Sequence, residues 1–156
     1  MLRLSKLTDY AVVVLNRLGD CQDAGEDCVQ TSPGIAAATG VPEPTVAKVL
    51  KALASASLVT SQRGARGGYR LSRALETVTV VDVIVAVDGP IALTACVDGG
   101  FGCCDVERQC AMRGRWELVN DAIRNSLSRI TLADMRSATV PPAFRIPAHD
   151  TAPAAE

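Results

Sequence analysis

Four of the chain's six cysteines fall in one short stretch, CVDGGFGCCDVERQC, residues 96–110. Clustered thiols can close disulfides, hold zinc, act as a redox couple or ligate an iron–sulfur cluster. Structural zinc sites usually pair their cysteines in C-x2-4-C knuckles and close the shell with four N or S ligands. Here seven residues separate Cys96 from Cys104 and five separate Cys104 from Cys110, so no such knuckle exists in that register. Cys103 and Cys104 are adjacent, and adjacent side chains diverge too far to share one metal easily. The lone histidine, His149, lies in a Pro/Ala-rich C-terminal stretch. Glycines near Cys96 and Cys104 leave backbone N–H groups free to point at sulfur, which tunes iron–sulfur sites. Three thiolates on a loop plus one borrowed ligand therefore suit an iron–sulfur cluster better than zinc, with zinc and thiol-redox chemistry as the rivals.

The compartment bears on that choice. The chain has 156 residues and 48% apolar content, enough for one ordinary domain with a core and an appendage. Its apolar runs fall far short of the ~20 residues that span a bilayer. The start, MLRLSKLTDYAVVVLNRLGD, threads charges through its apolar residues and shows no small-residue cleavage site, so no secretory signal is expected. We expect a cytoplasmic protein without membrane contact, whose thiols are kept reduced and serve metal or redox chemistry before a disulfide framework.

Net charge is −1, which argues against a uniformly basic nucleic-acid binder, but the charges are unevenly placed. Between Glu43 and Arg73 six cations (Lys48, Lys51, Arg63, Arg66, Arg70, Arg73) meet one anion, whereas residues 76–156 carry seven arginines against eleven acids. A basic stripe on an acidic protein is the footprint expected for a phosphate backbone.

The elements that present this stripe are legible. Leu7, Tyr10, Ala11, Val14, Leu15 and Leu18 recur at helical spacing, Gly19-Asp20 reads as a stop, and residues 21–30 read as an acidic loop. Ser32-Pro33 predicts a helix start with a hydroxyl cap and proline in the first turn, and Gly40 predicts its end. Pro44 then opens a helix with Val46, Val49, Leu50 and Leu53 on one stripe, joined by Leu58, and Thr45, Lys48, Lys51 and Ser55 facing outward. Short helix, turn and amphipathic helix make a helix-turn-helix. A β-prone run from Leu58 to Ser61, the loop RGARGG and a second run from Tyr69 to Leu71 predict a hairpin with a basic tip, hence a winged helix. The tip glycines allow close backbone approach to a surface, and Arg63 and Arg66 suit a narrow, negative minor groove.

Beyond the wing, VTVVDVIVAVDGP (78–90) is rich in β-branched residues, yet Thr79 and Asp82 have capping-box spacing and Gly89-Pro90 is a stop, which predicts a helix. Trp116, Val119, Ile123, Leu127 and Ile130 predict a long helix of about four turns. Its apolar face wants a partner, and a second copy is the cheapest one. From Ala138 the chain loses periodicity and reads as a disordered tail.

LSKLTDYAVVVL, the helix-turn-helix ending in LVTSQRGARGGYRLS, VDVIVAVDGPIALTAC, and the cysteine loop followed by RGRWELVNDAI together resemble the IscR/NsrR family of winged-helix transcription regulators, and more narrowly the regulators of the SUF iron–sulfur assembly system. The resemblance spans about residues 1–136. It implies a homodimer that binds a cluster on this loop and responds to iron–sulfur status or nitric oxide. Carried over by residue, it puts cysteine ligands at Cys96, Cys104 and Cys110, with Cys103 as the alternative middle position. IscR-like members use a histidine three residues beyond the last cysteine; here that position is Arg113, which cannot ligate. Nitric-oxide-sensing members take a carboxylate from the partner's first helix, which corresponds to Asp9. Cys21 and Cys28 have no counterpart in the pattern and are expected as exposed loop thiols.

The combined expectation is a mainly α fold with a small β-hairpin: a winged helix-turn-helix (1–90), a cysteine-rich cluster loop (91–112), a dimerisation helix region (113–137) and a disordered tail (138–156). It would be no enzyme but a repressor of cluster-assembly genes carrying a 2Fe–2S cluster in preference to 4Fe–4S. Zinc, thiol redox or nitric-oxide sensing is the alternative input. The helix from Pro44 is expected in the major groove of an operator duplex, with Glu43, Thr45 and Lys48 near base edges or phosphates, Lys51 on the backbone, and Arg63 and Arg66 in the minor groove.

Overall fold

In α1 (Lys6–Ala24) the apolar stripe turns inward: Ala11, Val14 and Leu15 are fully buried and Leu18 nearly so. The computed structural model describes residues 4–25, 28–64, 67–97 and 109–139. Ser5 caps α1, its hydroxyl accepting the Thr8 N–H at 3.2 Å. The helix does not stop at Gly19-Asp20 but continues to Ala24. Gly19 is buried, and a β-carbon there would collide with the Leu75 side chain, so the glycine makes room for packing and terminates nothing.

The helix-turn-helix is formed by α2 (Ser32–Thr39) and α3 (Glu43–Ser55). Thr31, one residue earlier than expected, caps α2 by accepting the Gly34 N–H, which puts Pro33 in the second helical position. Gly40 closes α2 in the left-handed region at φ 72°. Pro42 stands at the N-cap of α3 and Pro44 again lies in the second position. Val46, Val49, Leu50 and Leu53 are fully buried and pack with Leu15, Ile35 and Val83 in one core. Burying a side chain of that size stabilises by roughly 1.5–3 kcal/mol, which is why this stripe outweighs the modest helix propensity of valine.

Strands β1 (Val59–Gln62) and β2 (Gly68–Leu71) pair antiparallel, with Val59 opposite Leu71 and Gln62 opposite Gly68. The base of the hairpin is buried through Val59 and Leu71, while Thr60, Ser61, Gln62 and Arg63 are exposed. A 3-10 turn (Leu75–Thr77) leads to α4 (Val80–Val87). Thr79 and Asp82 form the expected capping box, at 2.9 and 3.2 Å, and it overrides the strand preference of the β-branched run.

The last part of the chain departs from expectation. The helix α5 (Trp116–Leu127) stops three residues short of Ile130. Thr131 then bridges Thr79, Val80 N–H donates to the Ile130 carbonyl (2.9 Å), and Leu132 N–H donates to the Val78 carbonyl (2.9 Å). A second capping box, Thr131 with Asp134, starts α6 (Leu132–Ser137). Leu132 is fully buried and Arg136 reaches Asp20 and Asp23 on α1, so α6 folds back onto the core. The expected tail lies outside the described residues from position 140 onward. Among the described residues no helix is long and apolar enough to cross a membrane.

Candidate nucleic-acid interface and cysteine loop

The outer face of α3 carries Glu43, Lys48 and Lys51 exposed, with Thr45 half-buried in the first turn. Burial of Val46, Val49, Leu50 and Leu53 on the opposite side fixes this rotation of the helix. Arg63 is exposed at the end of β1, while Arg66 lies outside the described residues. Arg73, counted in the basic stripe, is held by Asp82 at 2.8 Å, so part of its charge is answered within the protein.

The wing has an unexpected third participant. Gln30 and Tyr69 exchange both backbone hydrogen bonds, at 2.9 and 2.8 Å, which lays the chain after α1 along the free side of β2. A β-carbon on Gly68 would sit 2.6 Å from the Gln30 carbonyl oxygen and 2.7 Å from the Val29 side chain. That glycine therefore serves close approach inside the protein rather than approach to an outside surface. The same path corrects the reading of Cys21 and Cys28 as exposed loop thiols. With α1 extended past Gly19, Cys21 is helical and only 6% exposed, and it is joined to Cys28 in a disulfide with the Cα atoms 5.5 Å apart. The Gln30 side-chain amide contacts both sulfurs, donating to Cys21 Sγ at 2.9 Å and lying 3.8 Å from Cys28 Sγ.

Cys96 and Cys110 are free, half-buried cysteines, and Cys96 Sγ lies 3.3 Å from the Thr94 hydroxyl. Cys103 and Cys104 lie outside the described residues. Both arms of the loop run towards α5. Asn120, only 1% exposed, donates from Nδ2 to the Ile91 carbonyl (3.0 Å) and accepts the Leu93 N–H (3.1 Å), and Val97 is buried just past Cys96. On the other side, Arg113 N–H donates to the Cys110 carbonyl in the turn leading into α5. Neither cysteine is consumed in a disulfide, so the donor set suits a group bound by thiolates. Asp9 is exposed in the first turn of α1, and among the described residues no three Cys, His, Asp or Glu of one chain converge as metal ligands.

Asp88 ties the start of α1 to the end of α4, accepting the Thr8 hydroxyl (2.7 Å) and the Ser5 N–H (3.2 Å). Partial desolvation pushes its carboxyl up, but the hydrogen bonds from Ser5 and Thr8 outweigh this and hold it below the usual carboxylate range. Sequence reasoning missed Gln30, Asn120 and Asp88. Each is a polar residue with at least one partner distant in sequence, Tyr69 for Gln30, Ile91 and Leu93 for Asn120, and Ser5 and Thr8 for Asp88, so no local spacing marks it.

A family model described as Rrf2, an iron-dependent transcriptional regulator, matches residues 4–138. The protein rrf2 of Nitratidesulfovibrio vulgaris is 34% identical over 138 residues, covering 88% of this chain and 91% of the relative. Among solved structures, CymR, described as the global cysteine regulator of B. subtilis, is 26% identical with a TM-score of 0.64, over 90% of this chain and all of that one. IscR of T. potens is 27% identical with a TM-score of 0.59, over 92% and 97%. A helix-turn-helix with a hairpin wing, matched over nearly its whole length, places the chain in the Rrf2 family, as a DNA-binding transcription regulator and not an enzyme.

Proposed function

We propose that this regulator is a cytoplasmic, homodimeric repressor of iron–sulfur cluster assembly genes of the SUF type, sensing cluster supply through a 2Fe–2S cluster. Cys96, Cys104 and Cys110 would hold the cluster, with Asp9 of a second copy as fourth ligand. The observation that carries this reading is the pair of free, half-buried thiols Cys96 and Cys110 on two arms that both run towards α5. The family description as iron-dependent and the likeness to IscR of T. potens support it. When bound, the cluster supplies a cross-link between loop and partner that three thiolates and one weaker oxygen ligand make labile, as a sensor requires.

The remaining work falls to the chain's own residues. The apolar side of α5, with Trp116 and Val119 about two-fifths exposed, joins the two copies, while α6 stays with residues 1–90. Glu43, Thr45 and Lys48 meet the major groove, Lys51 a phosphate, and Arg63 and Arg66 the minor groove. Two such surfaces read a pseudo-palindrome with half-sites one or more helical turns apart, about 34 Å per turn. Because both half-sites must be met together, loosening the cysteine loop and the partner's first helix changes affinity through a small displacement.

The test is anaerobic purification followed by absorption spectroscopy and iron and sulfide analysis, with duplexes selected from a random pool. Iron with matching sulfide is expected, Cys104→Ala should abolish the visible absorption, and Asp9→Ala should alter it while leaving the dimer intact. Zinc without iron overturns the cluster reading. A second reading, a thiol-redox input, is favoured by the Cys21–Cys28 disulfide and the likeness to CymR. Full operator response in iron-free protein would select it.

A further inference from the structure

We propose that Cys21 and Cys28 form a thiol–disulfide switch that sets the placement of the wing, with a small-molecule disulfide such as glutathione disulfide as its oxidant. This rests on and deepens the thiol-redox reading above, and it uses none of the cluster ligands. The pair sits where α1 ends, and two residues after Cys28 the chain bridges β2 at Gln30. Gln30 is the coupling residue. Its side-chain amide lies against both sulfurs, and its backbone holds Tyr69 of β2 through two hydrogen bonds. The tight seat of Gly68 on Val29 and Gln30 leaves the hairpin little freedom to stay in place if that segment moves.

Access to the pair is one-sided. Cys21 is 6% exposed, whereas Cys28 is half-buried and lines an open cavity of about 260 Å³ together with Thr60, Arg70 and Ser72. A guanidinium and two hydroxyls beside an accessible sulfur suit a small disulfide bearing carboxylates. Oxidation then runs in two steps. The Cys28 thiolate attacks one sulfur of the small disulfide, forming a mixed disulfide and expelling one thiolate, which takes up a proton. The Cys21 thiol gives up its proton and attacks the Cys28 sulfur, expelling the second small thiol. Two protein thiols lose two electrons and two protons, and one small disulfide becomes two thiols. The disulfide form holds the Cys28–Gln30 segment, bridged to Tyr69, against β2. Reduction removes the covalent tie between that segment and α1, and the wing loses its fixed orientation relative to α3.

Two measurements on the full chain decide it. In the first, anaerobically prepared protein is equilibrated at graded ratios of glutathione to glutathione disulfide, alkylated, and read by mass spectrometry of the Cys21 and Cys28 peptides. Interconversion between dithiol and disulfide across the series is expected; a pair that stays wholly oxidised or wholly reduced at every ratio overturns the proposal, and no DNA is needed to see it. In the second, affinity is measured for the duplex recovered from the random pool, with the visible absorption recorded alongside. The oxidised wild type should bind about fivefold or more tightly than the reduced form, a size typical of coupling between sites. Cys28→Ser and Cys21→Ala should both bind like the reduced form at every ratio. Because these variants keep the 96–110 loop intact, their difference from wild type reports the pair alone. Equal affinity of oxidised and reduced wild type, or a response that survives in both variants, overturns the switch.

Discussion

Asn120 Nδ2 donates to the Ile91 carbonyl at 3.0 Å, across 29 positions of sequence, so α5 grips the chain five residues before Cys96. Its Oδ1 takes the Leu93 N–H at the same time, which leaves the buried amide satisfied on both sides. Asn120→Ala strips partners from two backbone groups, and removing a buried partner costs about 1–3 kcal/mol. A lower denaturant midpoint with an unchanged m-value is the expected result. If the cysteine loop holds a cluster, the variant should also lose iron faster than wild type in a chelator assay.

Gly68→Ala puts a methyl group against the Gln30 carbonyl oxygen and the Val29 side chain. Overpacking of this kind costs about 1–3 kcal/mol. Amide exchange should quicken in β1, β2 and at Gln30 and stay slow in α1 and α3, and duplex affinity should fall. Unchanged exchange in the hairpin would contradict the close seat.

The exposed cations separate positioning from readout. Arg63→Ala is expected to weaken duplex binding by about 1–3 kcal/mol with some loss of sequence preference, whereas Lys51→Ala should weaken all sequences alike and flatten the salt slope by about one. Titrations at several salt concentrations with matched and scrambled duplexes distinguish the two.

Asp88 links stability to pH. Its folded carboxyl lies below the ordinary value near 4, so the contribution is complete above about pH 4 and is lost as pH falls through the lower folded value. Wild type should therefore lose stability relative to Asp88→Asn only on acidification below about pH 4, with parallel curves from pH 5 to 8. The carboxylate is largely exposed, so after solvent screening the difference is a few tenths of a kcal/mol.

Ile123 lies on the α5 side that carries Trp116, Val119 and Leu127. If α5 joins two copies, Ile123→Asp should yield monomers or aggregates in sedimentation at micromolar concentration, because a charge buried there is costly unless paired. A soluble wild-type monomer at that concentration would remove α5 as the joining face.

Local chemistry made much of this protein readable from its sequence. The periodic stripes of α1 and α3, the left-handed glycine after α2, the two runs of the hairpin and the Thr79–Asp82 capping box each act within a few residues, and each appears where the spacing put it, to within a residue or two. The basic outer face of α3 follows from the same periodicity, and Arg63 is exposed just past the end of β1. A second capping box, Thr131 with Asp134, was equally visible in the string TLAD, but the apolar spacing through Ile130 masked it, and only backbone pairing with Val78 and Val80 divided α5 from α6. Tertiary contact alone decided that Gly19 receives Leu75 instead of ending a helix. It also decided that Cys21 meets Cys28, that Gln30 extends the wing, and that Asn120 anchors the cysteine arm. These are single contacts between residues far apart or out of periodic register. Periodicity, capping and turn chemistry are set by neighbours along the chain, whereas a lone long-range contact forms only once the core has brought its two ends together.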